Sequence, residues 1–221
     1  MLGSGVRRDR RECDGCCRFV RARARETGAV TAQPHEPLTQ AEFLAWELQQ
    51  EAKHEFVDGY VYPLFGDRTA VGFAGGSGRH NRLAIGLTLR IVPAARPCRT
   101  YTSDMRIEMA RSTRCADVFV TCEERDRDDA FAMHHPKLIV ELLSESTARD
   151  NLGPKMREYQ TIDTLEEYAT IDSRKRWAQV NRRHGGSWRA ELPVTGGRLE
   201  LRSIGLVIDL DELYRECGVD P

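Results

Sequence analysis

Apolar residues in the middle of the chain gather into short dense runs, "ADVFVTC" at 116–122 and "KLIVELL" at 137–143, the pattern of strands buried on both faces. The preceding "TYTSDMRIEMA" alternates loosely and also reads as strand. Earlier in the chain the period lengthens. In "PLTQAEFLAWELQQ" the residues Phe43, Leu44, Trp46 and Leu48 make an apolar stripe behind Thr39 and Glu42, whose spacing is that of a capping box, so a short helix is predicted. "HEFVDGYVYPL" predicts two strands turning at Asp58-Gly59. "RHNRLAIGLTLRIV" predicts a buried helix with Leu83, Leu87 and, at its margin, Arg90 near one face, Ile85 and Leu89 beside them, and His80 in the first turn. After the central strands, Gly153-Pro154 opens a further helix with Lys155 at its start.

Each dense run contains one carboxylate, Asp117 in the first and Glu141 in the second. An ionised carboxylate is costly to bury unless it is paired or binds a metal. If the two strands are antiparallel neighbours, Asp117 comes opposite the end of the second strand, where Glu141 stands. Two converging carboxylates repel unless one takes a proton or both share a cation. A hard divalent ion held by carboxylate oxygens and a backbone carbonyl, magnesium or manganese, meets that need, and Lys155 is close enough in sequence to reach the same cleft. Simpler roles exist for each residue alone. Asp117 can be a strand-start turn residue, Glu141 a salt-bridge partner of an arginine such as Arg149, Lys155 an exposed helix lysine, and His80 a cap.

Composition narrows the picture. The chain has 221 residues, 40% of them apolar, and a net charge of −1, so it can build a real core and shows no overall bias toward a polyanion. Residues 1–37 differ, with eight arginines against five acids and little periodic hydrophobicity; they read as a disordered Arg/Cys-containing extension ahead of a domain at 38–221. Cys13, Cys16 and Cys17 could begin a zinc site, but His35 lies outside the usual spacing for a second ligand pair. The other cysteines, Cys98, Cys115, Cys122 and Cys217, lack a disulfide rhythm and read as reduced thiols. No apolar stretch approaches the length of a membrane span, which points to a soluble, cytoplasmic protein. "GFAGGSGRH" has glycines without a P-loop lysine, which argues against nucleotide hydrolysis and for a mobile loop at the cleft.

The order "HEFVDGYVY", "GRHNRLAIGLTLRI", "CADVFV", "LIVELLSESTARDNLGPKMREY" and "LEEYATID" resembles the Uma family of restriction endonucleases, within the PD-(D/E)XK nuclease superfamily, over about residues 38–216. The resemblance implies an α/β (α+β) fold in which a central mixed sheet is flanked by helices. It also implies a DNA endonuclease dependent on Mg2+ or Mn2+, with Asp117 and Glu141 as metal ligands and Lys155 as the catalytic lysine. Glu55 and His80 match family positions near the cleft and would add a ligand or a phosphate contact. The sequence departs from the family in having Ala116-Asp117 for Pro-Asp, Leu143 where simple superfamily spacing puts lysine, and "EYA" at 167–169 without the usual tryptophan. In "RKRWAQVNRR", Arg174, Lys175, Arg176, Arg182 and Arg183 can contact a DNA backbone or form a solvated strand face. DNA is the expected partner, and a homodimer is left open. Two rivals stand beside the nuclease: a catalytically inactive nucleic-acid- or protein-binding module on the same fold, and a hydrolase of small phosphoesters.

Overall fold

In the computed structural model, residues 36–64, 77–126, 131–144 and 152–219 are described. Helix α1, Gln40–Glu47, begins at the predicted capping box: the Thr39 hydroxyl accepts from the Glu42 amide and the Glu42 carboxylate accepts from the Thr39 amide at 2.7 Å. Of the expected stripe only Phe43 is fully buried, stacked on Phe56 with ring centroids 5.1 Å apart, while Leu48 is 72% exposed. Glu47 takes a buried place instead, accepting from the His54 amide and from Arg106.

Strands β1, His54–Val57, and β2, Tyr60–Pro63, pair as predicted around Asp58-Gly59. Both turn residues have positive φ, 50° and 95°, the geometry of a tight hairpin that matches strand twist. A Cβ on Gly59 would also lie 2.8 Å from the Pro37 Cβ.

Beyond α2, Gly78–Ala94, come β3, Arg99–Thr102; β4, Arg106–Glu108; β5, Ser112–Cys115; β6, Val118–Thr121; β7, Ala132–Met133; and β8, Pro136–Leu143. Helix α3, Pro154–Tyr159, leads to β9, Glu167–Asp172; β10, Ala178–His184; β11, Ser187–Ala190; β12, Arg198–Leu201; β13, Leu206–Asp209; and α4, Leu210–Glu216.

The central sheet is mixed, in the order β11-β10-β9-β8-β6-β3, with β8 and β9 parallel and the other neighbours antiparallel. A second sheet, β2-β1-β5-β4-β7, stands beside it, and β12 pairs with β13. The chain passes from the second sheet to the central one between β5 and β6, through Ala116 and Asp117. On one face of the central sheet, α2 and α4 cover Val118, Val120, Val140 and Leu142; on the other, Phe119, Ile139 and Tyr168 pack with Tyr159 of α3 and Ile107 of β4.

Helix α2 is amphipathic. Leu83, Gly86, Leu87 and Ile91 are buried, but Ile85 and Leu89, read as lying beside the buried face, are 53% and 70% exposed. Gly86 lets α4 approach closely: a Cβ there would come within 2.3 Å of the Cys217 Sγ.

The reduced-thiol reading is corrected at one pair. Cys98 and Cys122 form a disulfide with Cα atoms 4.4 Å apart. They flank β3 and β6, whose register pairs Arg99 with Thr121, so the two cysteines fall opposite each other at the strand ends. Cys115 and Cys217 are free thiols. Cys13, Cys16, Cys17, His35, Arg149 and the glycines before Ser77 lie outside the described residues. Among the described residues no helix is long and apolar enough to cross a membrane.

Candidate active site

Val118 pairs with Val140 across antiparallel β6 and β8, which places Asp117 opposite Glu141. By strand alternation Glu141 shares the sheet face of Ile139, the face under α3, while Asp117 stands just ahead of β6. Glu141 is 2% exposed, and its compensating charge is Lys155. The Lys155 Nζ lies 3.0 Å from Glu141 Oε1 and 3.2 Å from Glu55 Oε1, and it donates to the Cys115 carbonyl at 2.9 Å. An ammonium has three N–H groups, so Lys155 is fully engaged. Tyr159, one turn further along α3, donates its hydroxyl to Glu141 Oε1 at 3.3 Å. Pro154 at the first position of α3 fixes the entry that aims Lys155 inward.

Glu55 reaches the cluster from β1 and accepts from the Cys115 amide at 3.0 Å and from Arg114 at 2.9 Å. Arg114, 5% exposed, also grips Glu158 of α3 through Nε and Nη2 at 2.8 and 2.6 Å. His80 comes from the first turn of α2, where its amide donates to the Ser77 hydroxyl, and its Nε2 lies 3.3 Å from Asp117 Oδ1. The other oxygen of Asp117 accepts from the Leu142 amide at 2.7 Å. The structure thus brings together Asp117, Glu141, Lys155, Glu55 and His80.

Charge here is unevenly balanced. Burial drives Glu141 toward its protonated form, Lys155 opposes this, and Asp117 and Glu55 add to it, leaving the carboxyl pushed up to about 8. Burial works to discharge Lys155, and Glu141 and Glu55 overcome it, so the ammonium is held above the ordinary lysine range. For Asp117, burial is outweighed by the hydrogen bond and charge of His80, and its carboxyl lies below the usual range; the same contact raises His80 against burial. Three carboxylates surround one lysine, and Arg114 is shared with Glu158. The donor set is hard oxygen, which fits a divalent cation, and a cation there would favour the ionised form of Glu141. As placed, the side chains pair with one another, and among the described residues no three His, Cys, Asp or Glu groups form a ready metal cluster.

Arg114, Tyr159 and Glu158 were not singled out from sequence. Arg114 sits among small polar residues, "RSTRC", with nothing to mark it as buried, whereas Tyr159 four residues after Lys155 carried a helical-spacing signal. The basic run divides. Arg182 is 5% exposed and is paired with Glu167, Glu191 and the Glu200 carbonyl. Arg183 donates to the carbonyls of Leu165, Gln160 and Ile162 and lies over the Trp188 ring. Both side chains are engaged by the protein itself, and Arg182 is buried rather than on a solvated face. Arg174, Lys175 and Arg176 occupy the exposed turn between β9 and β10.

A mixed central sheet flanked by helices is a restriction-endonuclease-like fold. The chain belongs to the family Uma2, described as "Putative restriction endonuclease", which matches residues 40–210. It is 32% identical over 187 residues to "Uncharacterized protein slr1290" of Synechocystis sp. (strain ATCC 27184 / PCC 6803 / Kazusa), covering 82% of this chain and 94% of that one. A second protein of the same organism, "Uncharacterized protein sll1609", is 37% identical over 136 residues, 58% of this chain and 71% of its own. In fold it is similar to the crystal structure of "a putative nuclease belonging to DUF820 from Anabaena variabilis ATCC 29413", with a TM-score of 0.65, 15% identity, and coverage of 82% of this chain and 99% of the other.

Proposed function

We propose that the protein is a metal-dependent DNA endonuclease that hydrolyses phosphodiester bonds with Mg2+ or Mn2+. The observation that carries this reading is that the register of β6 and β8 sets Asp117 opposite Glu141, and Lys155 from α3 meets Glu141 at 3.0 Å. Asp117 and Glu141, with the Leu142 carbonyl, would hold the ion, which when bound would polarise a non-bridging phosphate oxygen. Lys155 is held protonated, so it serves as donor and positive charge, not as a general base. Releasing one of its three contacts would free an N–H to orient the attacking water and stabilise charge growing on the phosphate. Glu55 and the Cys115 carbonyl keep the ammonium over the site meanwhile.

The DNA backbone would lie along the carboxyl ends of β8 and β9. The turn carrying Arg174, Lys175 and Arg176 is at that end, since Asp172 pairs with Leu143. The Tyr214 hydroxyl donates to the carbonyls of Asp172 and Lys175 and holds the turn in place.

Nicking of supercoiled plasmid with Mg2+ or Mn2+, abolished by EDTA, tests the proposal. One observation favours a second reading, an inactive binding module: every Lys155 donor is already engaged by the protein. Plasmid left uncut with either metal, but retained in a binding assay, would decide for the module.

A further inference from the structure

In the β1–β2 hairpin, Tyr62 pairs with Glu55 and Tyr60 with Val57. Residues directly opposite in an antiparallel pair project to the same face, so both tyrosines share the face on which Glu55 meets Lys155 and Arg114. The opposite face is closed by α1, through Phe43 on Phe56. Tyr60 and Tyr62 are 51% and 50% exposed, and among the described residues neither makes a ring contact or a side-chain hydrogen bond. Two rings one residue apart on a strand are separated by about 7 Å, far enough for each to take its own base.

We propose that Tyr60 and Tyr62 form a stacking platform for unpaired bases of the DNA strand whose phosphate is held at Asp117, Glu141 and Lys155. This rests on the DNA-cleavage reading and adds to it a substrate class: single-stranded DNA, or duplex with unpaired bases beside the scissile phosphate. The argument is chemical. A half-exposed aromatic ring gains most from the flat face of a base, and a base within a duplex has both faces covered by its neighbours. The tyrosines are also continuous with the candidate site, because Tyr62 neighbours the carboxylate that holds Lys155.

Binding is measured by fluorescence anisotropy in a Glu141→Gln background, which removes cutting, with a labelled single strand and the same strand annealed to its complement. The background protein is expected to prefer the single strand. Tyr60→Ala with Tyr62→Ala is expected to weaken single-strand binding about tenfold for each ring removed and to leave duplex binding within about twofold. Phenylalanine at both positions retains the preference. Unchanged single-strand affinity in the double alanine variant, or equal loss on both DNAs, overturns the platform, as does a self-association that the alanines abolish, which would make β2 a contact with a second copy. Plasmid cut normally alongside such a result leaves the nuclease reading standing. Tyrosine-dependent single-strand binding, when the protein with Glu141 in place cuts neither single strand nor plasmid with either metal, sinks the nuclease reading and keeps the platform, and no binding to either DNA overturns both.

Discussion

The Lys155 ammonium lies 3.0 Å from the Glu141 carboxylate, so the buried acid is compensated from within the chain. The two residues have different predicted roles, and substitutions should separate them. Glu141→Gln is expected to fold, to lose most affinity for divalent metal in a calorimetric titration, and to lose nearly all plasmid cleavage, because a neutral amide is a poor ligand for a hard cation. Lys155→Ala is expected to keep metal binding and to cut at least about a hundredfold more slowly. Equal metal affinity in the parent and the glutamine variant would remove Glu141 from the ligand set.

Arg114 is the sole arginine gripping both Glu55 and Glu158 among the described contacts, tying β5 to β1 and to α3. Removing it leaves the buried Glu55 and the half-buried Glu158 short of a cation. Arg114→Met is expected to cost about 3–5 kcal/mol in urea unfolding, and Arg114→Lys less. A loss below about 1 kcal/mol would mean that Glu55 is neutral or rehydrated in the variant.

Asp126, 1% exposed, accepts from Thr121, His135 and the amides of His134 and His135. Burial would raise its carboxyl, but these donors prevail and hold it below the usual aspartate range. A lowered folded value contributes stability above the unfolded value, lost as pH falls through the folded one, so the window is below about pH 4. Asp126→Asn is expected to be about 2 kcal/mol less stable at neutral pH and to lose less than the parent on acidification. Parallel stability curves below pH 4 would contradict this.

The Cys98–Cys122 bridge closes a loop with a sequence separation of 24, which includes all of β4, β5 and Asp117. Replacing both cysteines with serine is expected to lower stability by about 3 kcal/mol. Intact mass with and without reductant establishes whether the purified protein has the bond.

Much of the site was legible because its signals are local. Thr39 and Glu42, Asp58-Gly59, and one carboxylate in each of two apolar runs can be read within a few residues. The antiparallel pairing of β6 with β8 entered the reading as a condition, and the register bears it out. What was hidden depends on neighbours distant in sequence. The disulfide requires β3 to lie beside β6, skipping the β4–β5 hairpin. Arg182 looks like a surface base until Glu167 and Glu191 are brought against it by β9 and the segment after β11. Ile85 and Leu89 look buried because helical spacing alone does not say how wide a stripe the sheet covers.

The crossing at Ala116 and Asp117 has a consequence for how the protein is made. Lys155 fastens to the carbonyl of Cys115, one residue before the crossing, and the remaining side chains of the cluster come from positions 55, 80, 117 and 141. A chain still emerging from the ribosome has no assembled site until α3 is out and seated. A fragment cut anywhere between β1 and α3 divides the same set between two pieces. The cluster is therefore a late product of synthesis, complete only when residues 55 to 155 belong to one folded piece.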